Sequence, residues 1–112
     1  MIEEKDYLMR QLHALIRLVA MLRDPFNRLR EQEREDLFRQ CFDIAGVDIT
    51  HIGEKSAEQL ADGVTTPQML FYLSELLDMY RAKRNDKALT ELQREISHRL
   101  QEQGVTNIKD YL

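Results

Sequence analysis

The sequence holds one cysteine, two prolines and four glycines in 112 residues, and each scarcity narrows the field. A lone Cys41 closes no disulfide within the chain and builds no thiolate zinc cluster. Such cysteine usage suits a reducing cytoplasm, where the thiol reads as a small buried hydrophobe. With so few glycines and prolines, little interrupts regular structure, and a disordered chain is not expected. Strand signals are nearly absent as well. No alternating β-branched run and no Asn-Gly or Asp-Gly hairpin occurs, while Leu, Glu, Arg and Gln dominate.

Long apolar runs are missing too. The greasiest stretch, Leu8 to Leu22, is interrupted by Arg10 and Arg17 and bounded by Arg23, whereas a membrane span needs about 20 apolar residues. The opening Met1-Ile2-Glu3-Glu4-Lys5-Asp6 is acidic, contrary to the basic start of a secretory signal and to the acid-poor organellar presequence. There is no G-x-S-x-G elbow, no phosphate-binding glycine loop and no Cys–His pairing suited to nucleophilic work. We therefore expect no catalytic residues, no cofactor, no small-molecule substrate and no enzyme.

What is present is 43% hydrophobic and 32% charged residues, with 20 acidic against 16 basic side chains and a net charge of −4. These proportions suit one globular domain over 1–112. An acidic balance is a poor footprint for a polyphosphate backbone, so nucleic acid is not an expected partner.

Periodicity and capping residues predict an all-α fold, a small bundle of about four main helices with short accessory turns. The first helix runs from about Glu3 to Arg23. Asp24-Pro25 then starts a second, from Pro25 to about Ala45, stopped by Gly46. Within it Arg28 to Asp36 reads as a solvated mixed-charge face, and Leu37, Phe38, Cys41, Phe42, Ile44 and Ala45 as core. Short pieces follow at Asp48–Ile52 and at Ser56–Asp62, the latter capped by Ser56. Thr66-Pro67 opens the clearest helix, Pro67 to about Arg84, with Met69, Leu70, Leu73, Leu76, Leu77 and Tyr80 on its stripe. Asp86 caps the last long helix, Lys87 to Gln103, whose stripe is Ala88, Leu89, Leu92, Ile96 and Leu100. Gly104 ends it, and Thr106 caps a final turn with Ile108, Tyr111 and Leu112. The short link between the last two long helices makes them an antiparallel, tetratricopeptide-like hairpin.

On a helical wheel the first helix has a central stripe of Leu8, Leu12, Leu15, Val19 and Leu22. Met9 and Ile16 widen it on one side and Leu18 on the other. Only Arg10, His13 and Arg17 form a polar strip, bordered by Ala14, Ala20 and Met21. This apolar surface is wider than one packing contact needs, so it is to be buried from two directions, as the central helix of the bundle. Its extra width predicts a homodimer through the N-terminal helix. The candidate interface is Met9, Leu12, Ile16, Leu18, Val19 and Met21, joined by Phe71, which stands on the polar side of its own helix. The alternative partner is a membrane surface, where an amphipathic helix with basic residues would lie in the headgroup plane.

Three further patterns carry less. The segment Ala57 to Met69 has the outline of a DNA-binding helix-turn-helix, but the would-be reading helix has Glu75 and Asp78 and no basic residue over 67–80. Glu95-x-x-His98, with Glu91 and Glu102, has the spacing of a di-metal bundle ligand but occurs once, and reads as a solvated acidic face. His13 and His51 stand without zinc-site partners. No metal is expected.

The start Asp6-Tyr7-Leu8-Met9-Arg10 followed by an apolar helix resembles that of an uncharacterised family of small bacterial proteins, mostly from Firmicutes. Ile44-Ala45-Gly46-Val47-Asp48-Ile49, Ser56-Ala57-Glu58-Gln59-Leu60 and the Leu73–Tyr80 helix look like the middle of the same family. The resemblance implies an all-helical protein with a tetratricopeptide-like hairpin and no assigned activity. The functional expectation is a non-enzymatic module acting by protein contact, with itself and with another protein.

Overall fold

A computed structural model describes residues 4–103 apart from 25, 27, 65, 83 and 85. The expected roles of Pro25, Asn85, Gly104 and the Thr106 turn lie outside the described residues. The elements are α1 (Glu4–Arg23), α2 (Glu31–Ala45), a 3₁₀ turn (Ile49–His51), α3 (Ala57–Ala61), α4 (Pro67–Arg81) and α5 (Lys87–Glu102). Among the described residues there is no strand, only an isolated bridge between Ile52 and Lys55. This is the expected all-α bundle of four long helices with short accessory turns.

Most boundaries follow the capping chemistry. Ser56 accepts a hydrogen bond from the Gln59 amide at 3.1 Å while the Gln59 side chain accepts one from the Ser56 amide at 3.0 Å, a reciprocal capping box. Thr66 accepts from the Met69 amide at 3.2 Å, with Pro67 opening α4. Asp86 accepts from the Ala88 amide at 2.8 Å. Gly46 ends α2 at φ 90°, with the Val47 amide donating to the Phe42 carbonyl at 2.9 Å and the Gly46 amide to the Asp43 carbonyl at 3.1 Å. Only a residue at ease in the left-handed region makes this closure without strain.

Two boundaries differ: α4 ends at Arg81 rather than near Arg84, and the larger shift is at the start of α2. Helix α2 starts at Glu31 rather than Pro25, because Asp24 caps a turn instead of a helix: its carboxylate accepts the Phe26 amide at 2.9 Å. Arg30 is still extended, at ψ 156°. The intervening residues carry the chain back so that α2 runs antiparallel to α1. The guanidinium of Arg34 ties the two ends, donating to the Leu22 carbonyl at 3.3 Å. That carbonyl is one of the acceptors that a helix leaves open at its C-terminus.

The solvated-face expectation for Arg28–Asp36 also needs correction at Arg34 and Glu35, which are half-buried. Besides its bond to Leu22, Arg34 lies 5.4 Å from the centre of the Phe38 ring. Glu35 pairs with Arg84, whose guanidinium also stacks 3.8 Å from the centre of the Tyr80 ring. The run is charged because it joins the start of α2 to the end of α4.

One apolar cluster draws on every helix, from Leu15 and Val19 through Phe42, Leu60 and Leu73 to Leu92 and Ile96. Its centre is α4, which packs on α1, α2 and α5. The expectation that α1 is the central helix is therefore corrected. Among the described helices α1 packs on α2 and α4 alone, leaving its remaining side outward from them. Helix α4 is better suited to the middle, since Leu73, Leu76 and Leu77 are all fully buried. Between α4 and α5 the buried Gln93 donates to the Ser74 carbonyl at 3.2 Å and to Asp78, and accepts from Arg81. Every polar group of that side chain is satisfied, as burial demands.

Candidate functional site

The outward side of α1 is built by the same heptad arithmetic that builds its inner side. Leu12, Leu15, Val19 and Leu22 form the buried stripe. Opposite them, Arg10, His13 and Arg17 are exposed and occupy the outermost line. On each flank between ridge and core sit apolar residues. Met9, Ile16 and Ala20 lie on one, and Tyr7, Ala14, Leu18 and Met21 on the other. Tyr7, Gln11, Ala14, Leu18 and Met21 recur at alternating steps of four and three, the spacing of a helix-packing seam.

Exposure singles out this region. The large hydrophobic side chains most open to water are Tyr7 at 55%, Met9 at 42%, Met21 at 38% and Phe26 at 87%. All four fall on α1 or in the turn directly after it, and the described remainder of the chain adds none. Tyr7, Leu8 and Gln11 share a groove of about 390 Å³ with Asp43, Ile44 and Met69, floored by Gly46 and Gly63. The seam of α1 and the Ile44 edge of α2 are therefore one continuous surface.

Its electrostatics are polarised. On the outward line of α1 stand Arg10, His13 and Arg17, with Asp6 one turn before Arg10, while Arg23 pairs with Glu75 of α4. Along the outer edge of α2 run Glu33, Asp36, Gln40 and Asp43, spaced on one helical face, with Arg39 beside them 3.8 Å from Asp36. A basic ridge and an acidic ridge thus flank one apolar seam.

The structure divides the seven candidate interface residues. Met9 and Met21 are exposed, and Ile16 and Leu18 are half-buried against the core. Leu12 and Val19 are corrected: at 6% and 2% exposure they are interior, spent on packing within the chain. Phe71 is corrected as well, being half-buried with its ring edge-on to Tyr72 at 5.5 Å rather than a lone exposed aromatic. It sits on α4, away from the α1 seam in sequence and without a place in it. Tyr7 and Phe26 had no part in the expected interface. A wheel centred on the apolar stripe hides both, one at the margin of the helix and the other beyond its end.

Other groups with chemical potential are held in structural roles. Cys41 is buried, and desolvation pushes its thiol from 9.0 up to about 12, which leaves it protonated and inert at neutral pH. Asp48 accepts from the Thr50 hydroxyl at 2.6 Å and the Thr50 amide at 3.1 Å, and pairs with His51. Those bonds, the Thr50 hydroxyl first, lower its carboxyl below the ordinary 3.8. Glu95 pairs with Arg99 at 3.0 Å and His98 with Glu102 at 3.0 Å. Among the described residues, no group of three or more His, Cys, Asp or Glu is placed to hold a metal ion. None of the described helices is long and apolar enough to cross a membrane.

In comparisons with protein-family models, with curated proteins and with solved structures, nothing matches this chain.

Proposed function

We propose that this protein is a non-enzymatic contact module that associates with a second copy of itself through the outward side of α1. The observation that carries the reading is the gathering of Tyr7, Met9, Met21 and Phe26 on α1 and its following turn. Exposed apolar side chains scattered singly need no explanation, but Tyr7 and Met21 share the flank that also carries Ala14 and Leu18, which makes that flank the apolar seam, while Met9 lies across the arginine line. Fully burying one such side chain contributes roughly 1.5–3 kcal/mol before the cost of association. Tyr7 and Met21 are already partly covered within the chain, so a pair also draws on the half-buried Leu18, Leu37 and Ile44 beside them. The single, buried and protonated Cys41 supports a cytoplasmic setting.

The geometry weighs against a membrane surface as the partner. An interfacial helix needs its apolar residues on the outermost line, where they reach the acyl boundary. Here Arg10, His13 and Arg17 hold that line, and the apolar residues lie lower, on the flanks.

Light scattering on the eluting peak of a size-exclusion column tests the proposal with Tyr7→Glu and Leu18→Glu. Both variants are expected to elute at the mass of one chain with helical content retained, where the unaltered protein elutes at twice that mass. Variants as massive as the unaltered protein would refute the α1 interface. Co-sedimentation with anionic vesicles, abolished by the same substitutions, would transfer the surface to a lipid partner.

A further inference from the structure

The ridges on either side of the seam fit each other in register. Helices α1 and α2 are antiparallel, with Tyr7 and Gln11 beside Asp43 and Ile44 in one groove, and Leu22 bonded to Arg34 at the other end. Counting along both antiparallel helices from the groove anchor sets Arg10 near the level of Asp43 and Arg17 near that of Asp36. Both pairs are seven residues apart along their helices, two turns each. Within the chain these charges are not used against one another. No ion pair among the described residues involves Arg10, Arg17 or Asp43, and Asp36 has Arg39 at 3.8 Å and a hydrogen bond from the Gln32 side-chain amide at 3.2 Å.

We infer that the surface takes a second copy in one arrangement: the two α1/α2 hairpins pack face to face about a two-fold axis parallel to the helices, so that α1 of each copy lies along α2 of the other. The inference rests on the self-association proposed above and adds its geometry. Rotation about that axis keeps every residue at its own level while exchanging the two helices. Arg10 then meets Asp43 of the second copy and Arg17 meets Asp36 of the second copy, and symmetry repeats both pairs. The half-buried Leu18, Leu37 and Ile44 and the exposed Tyr7 form the apolar layer between the ridges. The competing two-fold arrangement, α1 antiparallel on α1, brings Arg10 beside Arg17 of the second copy twice over. Like charges set opposite each other disfavour it. Helix pairing of this kind yields a four-helix layer in which opposite ridges select the register.

The test uses two full-length charge-reversed proteins, R10E/R17E and D36R/D43R, in sedimentation velocity at low salt. Each alone is left with two ridges of the same net sign, acidic in the first and basic in the second. Each is expected to dimerise more weakly than the unaltered chain, by on the order of ten-fold or more in Kd. An equimolar mixture is expected to form a heterodimer with affinity near that of the unaltered chain, since every ridge again meets its opposite. Rescue in the mixture also shows that both variants are folded. If both variants dimerise as the unaltered chain does, or if two folded variants fail to associate when mixed, the arrangement is wrong. Should Tyr7→Glu abolish dimers while the charge reversals leave them intact, self-association stands and only this pairing falls. A single-chain mass for the unaltered protein at every concentration overturns both.

Discussion

The backbones of Gly46 and Gly63 touch. A Cβ built on either residue would collide with the carbonyl oxygen of the other, and Gly46 also holds φ at +90°. Their crossing pinches together the two ends of the segment that carries the 3₁₀ turn and α3, and floors the groove beneath Tyr7 and Ile44. This contact, remote in sequence, holds the end of α2 where the seam requires it.

Gly46→Ala and Gly63→Ala are accordingly expected to destabilise the fold by more than the ~1–2 kcal/mol that a left-handed conformation alone costs a residue with a side chain. Gly53→Ala is the control. That residue has φ +92° but nothing within 4 Å of the added methyl, so only the conformational cost applies. Urea denaturation of the three variants measures the order, with Gly53→Ala the mildest.

Gln93 is the polar pin of the α4–α5 hairpin. Gln93→Leu preserves most of the volume but strips the bonds to the Ser74 carbonyl, Asp78 and Arg81. Asp78 is exposed and Arg81 half-buried, so water can replace part of what is lost, and a destabilisation of about 1 kcal/mol is expected. The midpoint of chemical denaturation reads it directly.

The thiol of Cys41 ionises in the native state only near pH 12, against 9.0 for an exposed one. Because the native value is raised, the native state binds the proton more tightly. The resulting stability is fully present below pH 9 and is lost as pH rises toward 12. Cys41→Ser removes that alkaline dependence only by placing a hydroxyl in an apolar site, so Cys41→Ala is the cleaner comparison. Labelling of Cys41 by a thiol reagent at neutral pH is expected to proceed only as fast as the chain opens, and to become immediate in denaturant.

At the other end of the scale Asp48 titrates below 3.8 in the native state. A depressed carboxyl contributes stability above its unfolded value, and this is lost as pH falls through the lower native one. Asp48→Asn should flatten the acid limb of a pH–stability curve at that point. Carboxyl NMR on the native protein checks the lowered titration itself.

Much of this architecture was legible in the sequence because the signals were local. Ser56, Thr66 and Asp86 cap the helices they precede, and the stripes of α4 and α5 fall where a period of 3.6 places them. What was not legible depended on long-range geometry. Nothing local in the wide apolar surface of α1 reveals that α4, not α1, holds the centre of the bundle. The run Arg28–Asp36 looked like any solvated charged face, since nothing local reveals that Arg34 reaches Leu22 or that Glu35 meets Arg84. Nothing local marks Gln93 as a buried polar residue between α4 and α5. Tyr7 and Phe26 escaped notice because exposure, unlike periodicity, is a property of the packed whole.

The outward side of α1 is the proposed subunit interface. Sedimentation equilibrium of the unaltered chain from micromolar to millimolar concentration measures this most directly. The prediction is a mass that rises to twice that of one chain and stops there, as a closed two-fold pair requires. A mass of one chain throughout would contradict it.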